Sequence, residues 1–153
     1  MPDDLTFLMG KYAARLPADL RYARNHMWCR TDGDYHRFGF SAYAVRLMQD
    51  VYFLDWCVNA GDAVAVKQQV GNIETSKAVA DLFAPTGGVI AAFNSELLKD
   101  PSAINVDCYG PGWLFDMTGD GDGLMDAQAY HDYLSATWES TQRLIKGQIN
   151  AAE

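Results

Sequence analysis

The sequence is poor in cysteine, in basic residues and in long apolar runs, and each shortage excludes something. Three cysteines, Cys29, Cys57 and Cys108, stand far apart and make no Cys-x-x-Cys pair. An odd, scattered set does not read as a disulfide framework, and it fits a reducing cytoplasm. The three histidines, His26, His36 and His131, have no metal-ligand spacing among themselves or with cysteine. Only 12 Lys and Arg stand against 20 Asp and Glu, a net charge of −8. That balance argues against a nucleic-acid backbone or an anionic membrane as partner, since both call for a basic face. No stretch reads as a signal peptide or a membrane span. No glycine-rich phosphate loop and no Ser-His-Asp order stands out.

What is present is apolar substance: 49% of the 153 residues are hydrophobic, enough for one domain with a real core. Residues 1–19 read as a helical extension, with Leu5, Phe7, Leu8, Tyr12 and Leu16 on an amphipathic face that Pro17 ends. Residues 20–117 read as a β domain. The strands His26–Arg30 and Tyr35–Phe40 flank the turn signal Thr31-Asp32-Gly33-Asp34. Ser41 is placed to cap a short helix ending near Asp50, with Tyr43, Ala44, Leu47 and Met48 on one face. Further strands are expected at Val51–Cys57, Ala63–Val66, Val70–Ile73, Ala78–Phe83, Val89–Phe93 and Trp113–Met117. Asn94–Lys99 allows one helical turn, and Ile104–Gly112 reads as a loop. Residues 118–153 form an acidic, glycine-rich link and a helix from Leu124 to about Ile149, with Tyr130, Leu134, Trp138 and Leu144 on one side. Two similar strand–turn–strand units, centred on Gly61 and Gly88, predict a quasi-symmetric sandwich of two small sheets.

Between those units lies Glu74-Thr75-Ser76-Lys77-Ala78, flanked by strands. A lysine at a hairpin tip is solvated, reachable and fixed in position, which suits a residue that an enzyme must find and modify. An exposed hairpin lysine is by itself more often only a solvated charge.

The landmarks His26-x-Trp28, Gly39-x-Ser41-x-x-Ala44, Gly61-Asp62, Glu74-x-x-Lys77-Ala78, Ala84-Pro85-x-x-Gly88, Asn94-x-x-Leu97, Pro101, Ile104-Asn105 and Tyr109-Gly110-x-Gly112-Trp113 follow one another in a distinctive order. By them the stretch from about Leu20 to Met117 resembles the H protein of the glycine cleavage system and its relatives. The C-terminal helix also resembles that family's ending. The resemblance implies a mainly β, lipoyl-type sandwich or flattened barrel. It implies a non-catalytic carrier whose lipoate is amide-linked to Lys77. Glu74 and Asp81 read either as solvated strand-edge charges or as carboxylates that help the modifying enzyme recognise or orient the hairpin. A lipoate-protein ligase or lipoyl transferase would be that enzyme. Biotin, the competing modification, goes with a Met-Lys-Met setting that Ser76-Lys77-Ala78 lacks.

Some positions depart from the family pattern. Met27 stands where glycine cleavage H proteins are usually acidic, Asp55-Trp56-Cys57 where they usually read Glu-Leu-Pro, and Gln49 where they usually have glycine. The surface expected to shelter the arm thus reads as apolar, aromatic and sulfur-bearing, with Asp81 the matching acidic position. In these respects, and in Phe40–Ala44 and Tyr52–Trp56, the chain is similar to the lipoate-binding proteins of bacterial sulfur oxidation. That branch implies a heterodisulfide-reductase-like complex as partner and a sulfur-bound cargo. The alternative is the ordinary H protein, carrying an aminomethyl group between glycine decarboxylase and aminomethyltransferase, with dihydrolipoyl dehydrogenase as a further partner.

The remaining signals have bland readings. His26 reads as structural, and Cys29 and Cys57 as small buried hydrophobes. Asp116–Asp126 imitates a calcium loop, but its twelfth residue is Ala127 rather than Glu, so a helix-capping loop is expected.

Overall fold

The computed structural model describes residues 4–152, with side chains described through residue 141. Two unequal sheets face one another. The larger has six strands: β3 (Arg21–Tyr22), β4 (Met27–Asp32), β5 (Tyr35–Phe40), β11 (Phe115–Met117), β10 (Gly88–Phe93) and β7 (Ala63–Val64), in that spatial order. The smaller is β6 (Val51–Trp56), β8 (Gln69–Thr75) and β9 (Val79–Phe83). Met27, Phe38, Phe40, Leu54, Val70, Ile73, Leu82, Ile90 and Phe115 form the main core.

The sandwich is as expected, but its two sheets are unequal, six strands against three. The strand after Gly61 does not stay within its own unit: β7 pairs antiparallel with β10, Gly88 opposite Val64. The two similar units therefore interlock. Gly88 has a packing reason, because a Cβ there would collide with the Thr118 backbone carbonyl where β10 meets β11. Gly39 has another: its missing side chain is the space filled by the Trp28 indole, 2.6 Å from where a Cβ would stand.

Helix α1 (Ala42–Met48) begins where Ser41 predicts, and the Ser41 hydroxyl accepts from the Ala44 N–H at 3.3 Å. Single turns follow at α2 (Glu96–Lys99) and α3 (Ala103–Val106), the second lying in the segment expected as loop. Helix α4 (Ala127–Ala152) buries Tyr130 and Leu134 and packs Trp138; Leu144 lies outside the described side chains.

The N-terminal helix expected within residues 1–19 is corrected by the structure. Residues Leu5–Met9 (β1) and Tyr12–Leu16 (β2) form an antiparallel hairpin, with Met9 opposite Tyr12. Gly10 occupies the first place of the two-residue turn at φ +65, a conformation glycine adopts without steric cost. The buried residues are Phe7, Met9, Ala14 and Leu16, which is period two; Leu8, expected on the helical face, is 64% exposed. A short helix would have buried only a stripe, whereas the hairpin lays one face across α1 and α4. The Phe7 ring meets Tyr43 at 5.8 Å and Trp138 at 5.7 Å. The Tyr109 hydroxyl fastens this layer, accepting from the Ala42 N–H and donating to the Arg15 carbonyl. A second core results, with Tyr22, Trp28, Tyr43 and Tyr130 at its centre. β4 is thus covered on both faces, Met27 and Cys29 facing the main core and Trp28 the second.

Candidate functional site

Lys77 is at the tip of the β8–β9 hairpin. The strands pair with Glu74 opposite Val79, Ile73 opposite Ala80 and Asn72 opposite Asp81. The tip is held from within by Thr75, whose hydroxyl accepts from the Lys77 N–H at 3.2 Å and the Ala78 N–H at 3.3 Å. The Thr75 N–H closes the turn on the Ala78 carbonyl at 2.9 Å. It is held from outside by Ser76: the Ser76 N–H donates to the Asp50 carbonyl at 2.9 Å, and the Asp50 N–H donates to the Ser76 hydroxyl at 3.2 Å. Lys77 itself is exposed, and it forms no ion pair among the described residues.

Asp50 is in turn fixed by Asn105. The Asn105 amide donates to the Gln49 carbonyl at 2.6 Å, and its oxygen accepts from the Val51 N–H at 2.9 Å. Gln49, at φ +64, bends the chain between α1 and β6. One buttress therefore runs from α3 through the α1–β6 corner to the residue beside the lysine. Sequence reasoning singled out Lys77 but neither Ser76 nor Asp50, and it met Asn105 only as a landmark without a role. Hydrogen bonds across such separations leave no local signal.

Glu74 and Asp81 are exposed on the outward face of the smaller sheet. Asp81 accepts from the Gln69 side-chain amide at 3.2 Å. By strand register Phe53 lies beside Glu74, which lies beside Val79; Tyr52 occupies the bulge next to Phe53. Tyr52, Phe53 and Val79 are exposed, so an apolar surface adjoins the lysine tip. The four residues from Glu74 to Lys77 present an amine that can be acylated without moving the fold.

Two expectations about the arm's surroundings need correction. Met27 does not line an arm surface: it is 1% exposed and packs into the main core, because β4 is covered on both sides. Cys57 is not a buried hydrophobe: it follows the last residue of β6 and is exposed, its thiol 3.6 Å from the Gln69 carbonyl. Cys29 and Cys108 are buried thiols, and burial pushes both upward, Cys108 to about 12. His26 is structural. Its Nδ1 is 2.9 Å from the Tyr130 hydroxyl, which also meets the Ser41 hydroxyl at 2.9 Å. Burial holds the imidazole down at about 4. Asp116 is engaged by Arg37 through two hydrogen bonds of 2.9 and 3.1 Å, which takes the first position of the calcium-like run out of any metal site. No group of metal-ligating side chains occurs among the described residues.

A cavity of about 450 Å³ opens at the far end of β9. Phe83, Ala84, Pro85 and Val66 form its apolar wall; Arg24, Lys67 and Asp122 bring charge, and Asn25 an amide.

The sequence profile described as Glycine cleavage H-protein matches residues 20–137. The chain is 38% identical over 129 residues to the glycine cleavage system H protein of Pseudoalteromonas atlantica, covering 78% of this chain and 95% of that one. To the glycine cleavage system H protein of Mycobacterium bovis it is 37% identical over 131 residues, covering 78% and 97%. The crystal structure of a glycine cleavage system H protein from Mycobacterium marinum superposes with a TM-score of 0.68 at 30% identity, over 78% of this chain and 99% of that one.

Proposed function

The chain belongs to the glycine cleavage H-protein family, and on that premise we propose that Lys77 is the attachment point of its lipoyl arm. Members of this family are carriers rather than enzymes, with lipoate held covalently on a lysine. The residues present fit that group. The observation that carries the reading is an exposed amine on a tip pinned by Thr75 on one side and by Ser76 and Asp50 on the other. An ε-amine on a flexible stem forms a stable amide and loses its charge in doing so. Bound there, the group supplies a dithiol that can carry a substrate fragment or two electrons between enzymes. Glu74 and Asp81 put carboxylates on the face a lipoate-protein ligase or lipoyl transferase would grip.

The cargo favoured by the relatives is an aminomethyl group, passed between glycine decarboxylase and aminomethyltransferase, with dihydrolipoyl dehydrogenase restoring the arm. The carboxylate of Asp81 on the lysine's own sheet supports it. A second reading, a sulfur-bound cargo for a heterodisulfide-reductase-like complex, is favoured by one feature: two cations, Arg24 and Lys67, line the cavity at the end of β9. Such a setting suits an anion better than an amine.

The test is intact mass after co-expression with a lipoate-protein ligase. Gain of one lipoyl group, absent in Lys77→Arg, supports the attachment; an unmodified wild-type chain refutes it. Offered glycine with purified decarboxylase, the arm gains an aminomethyl group on the first reading and stays unloaded on the second.

A further inference from the structure

The outward face of the smaller sheet is apolar and acidic at once. By register Phe53, Glu74 and Val79 make one outward row and Asp55, Asn72 and Asp81 the next, while Leu54, Ile73 and Leu82 point into the core. Phe53 and Val79 are exposed, as is Tyr52 on the bulge beside them. Leu98 and Val106 are exposed on the two single turns that border β6, α2 by packing and α3 through the hydrogen bond of 2.9 Å between Asn105 and Val51. An apolar patch with a polar rim is the pattern of a protein-binding surface rather than of a solvated sheet face.

The rim has one sign. β6, β8 and β9 contain Asp55, Glu74 and Asp81 and no Lys, Arg or His. Asp50 joins them at the tip, hydrogen-bonded to Ser76. The neighbouring cations are engaged or distant. Lys99 on α2 pairs with Glu96 at 3.7 Å, and Arg46 on α1 stacks on the Tyr12 ring at 4.7 Å. Arg24 and Lys67 lie at the opposite end of β9. That leaves Lys77 as the cation set among these carboxylates. A second copy of the chain would bring the same negative charges, so the face suits a partner of opposite sign.

Acylation alters this balance. It joins the Lys77 nitrogen to the carbonyl carbon of an activated lipoyl group; the activating group leaves with its electron pair, and the ammonium gives up two protons. The tip loses one positive charge while the carboxylates around it are unchanged. We propose that this face docks a partner protein presenting basic residues around an apolar contact, and that the charge of unmodified Lys77 weakens the docking until acylation removes it. This rests on attachment at Lys77. The enzyme that attaches the arm meets the tip as a cation. The enzymes that use the arm meet it neutral, within a rim that is wholly acidic. A unit charge about 5–10 Å from a cation of the partner changes affinity about two- to fourfold in water.

The probe is purified glycine decarboxylase, whose affinity for the full chain is measured by calorimetry. Two forms without an arm isolate the charge: Lys77→Arg keeps it and Lys77→Gln removes it. Lys77 is exposed, so both retain the fold. Intact mass of the wild type co-expressed with a lipoate-protein ligase is taken first; a missing lipoyl group would overturn the assignment of Lys77 and this inference together. With attachment established, Lys77→Gln should bind about two to four times more tightly than Lys77→Arg, and the gap should close in high salt. Wild type expressed without the ligase should match Lys77→Arg. Adding Glu74→Gln and Asp81→Asn to Lys77→Gln should weaken binding; adding Val79→Ser instead should weaken it without changing its salt dependence. Four results would each overturn the proposal and leave the attachment intact: equal affinities of Lys77→Gln and Lys77→Arg, tighter binding of Lys77→Arg, a lipoylated chain that dimerises through this face, or a decarboxylase that binds no form of the chain.

Discussion

Ser76 and Asp50 exchange two hydrogen bonds, N–H to carbonyl in one direction and N–H to hydroxyl in the other. The pair ties the residue before Lys77 to the corner from which β6 starts. The role proposed for Lys77 asks for a side chain that is mobile and a backbone that is not, and this exchange provides the second condition.

Removing the buttress should therefore loosen the tip more than the fold. Ser76→Ala deletes one exposed hydrogen bond and should cost about 0.5–1 kcal/mol in urea unfolding. Asn105→Ala removes the clamp on both sides of Asp50 and should cost about 1–3 kcal/mol. Both should slow acylation of Lys77 in a mass-resolved time course with purified ligase. Unchanged rates in both variants would mean the tip does not need its external support.

Lys77→Arg should lose the added lipoyl mass entirely. The side chain is exposed and outside the ion pairs found among the described residues, so unfolding free energy should change by less than about 0.5 kcal/mol. A large loss of stability would place the lysine in the architecture rather than in the chemistry.

His26 gives the fold an acid-sensitive element. Its folded pKa of about 4 lies below the ordinary histidine value of 6.5 because burial disfavours the imidazolium. The unfolded chain therefore binds the proton first. The stabilisation is fully present above pH 6.5 and is lost as pH falls toward 4, at about 1.4 kcal/mol per pH unit. In His26→Asn, a residue that tolerates the φ of +71 found there, that part of the slope should vanish between pH 6.5 and 5. Identical slopes would show that His26 is not the sensor.

Thiol labelling separates the cysteines. In the native protein a maleimide should react with Cys57 within minutes, while Cys29 and Cys108 should react only on unfolding. Peptide mapping of the labelled site checks this, and rapid labelling of Cys29 would contradict the burial of β4.

What could be read from the sequence was what local chemistry specifies. The Asp32-Gly33 turn, the Ser41 cap and the strands on either side of Lys77 each carry their own signal, and each lies within a residue or two of its expected place. The N-terminal hairpin was not legible because Leu5, Leu8, Tyr12 and Leu16 satisfy a helical stripe, while Phe7, Met9, Ala14 and Leu16 satisfy a two-residue alternation. Only contact with Tyr43 and Trp138 decides between them. Met27 was misplaced for a related reason. Its neighbours cannot tell that the face behind β4 is roofed by the chain's own ends. The cavity was not legible either, since Arg24, Lys67 and Phe83 meet only after four separate segments have folded together.

That roof also bears on how the protein can be cut or recombined. The first hairpin and α4 lean on one another across Phe7, His131 and Trp138, and the hairpin lies outside the stretch, residues 20–137, that the family profile covers. Trimming either end to the shared length would strip cover from the other and bring Tyr43 and its neighbours into water. The hairpin and α4 behave as a single packed part, and a chimera with a shorter relative has to take both or neither.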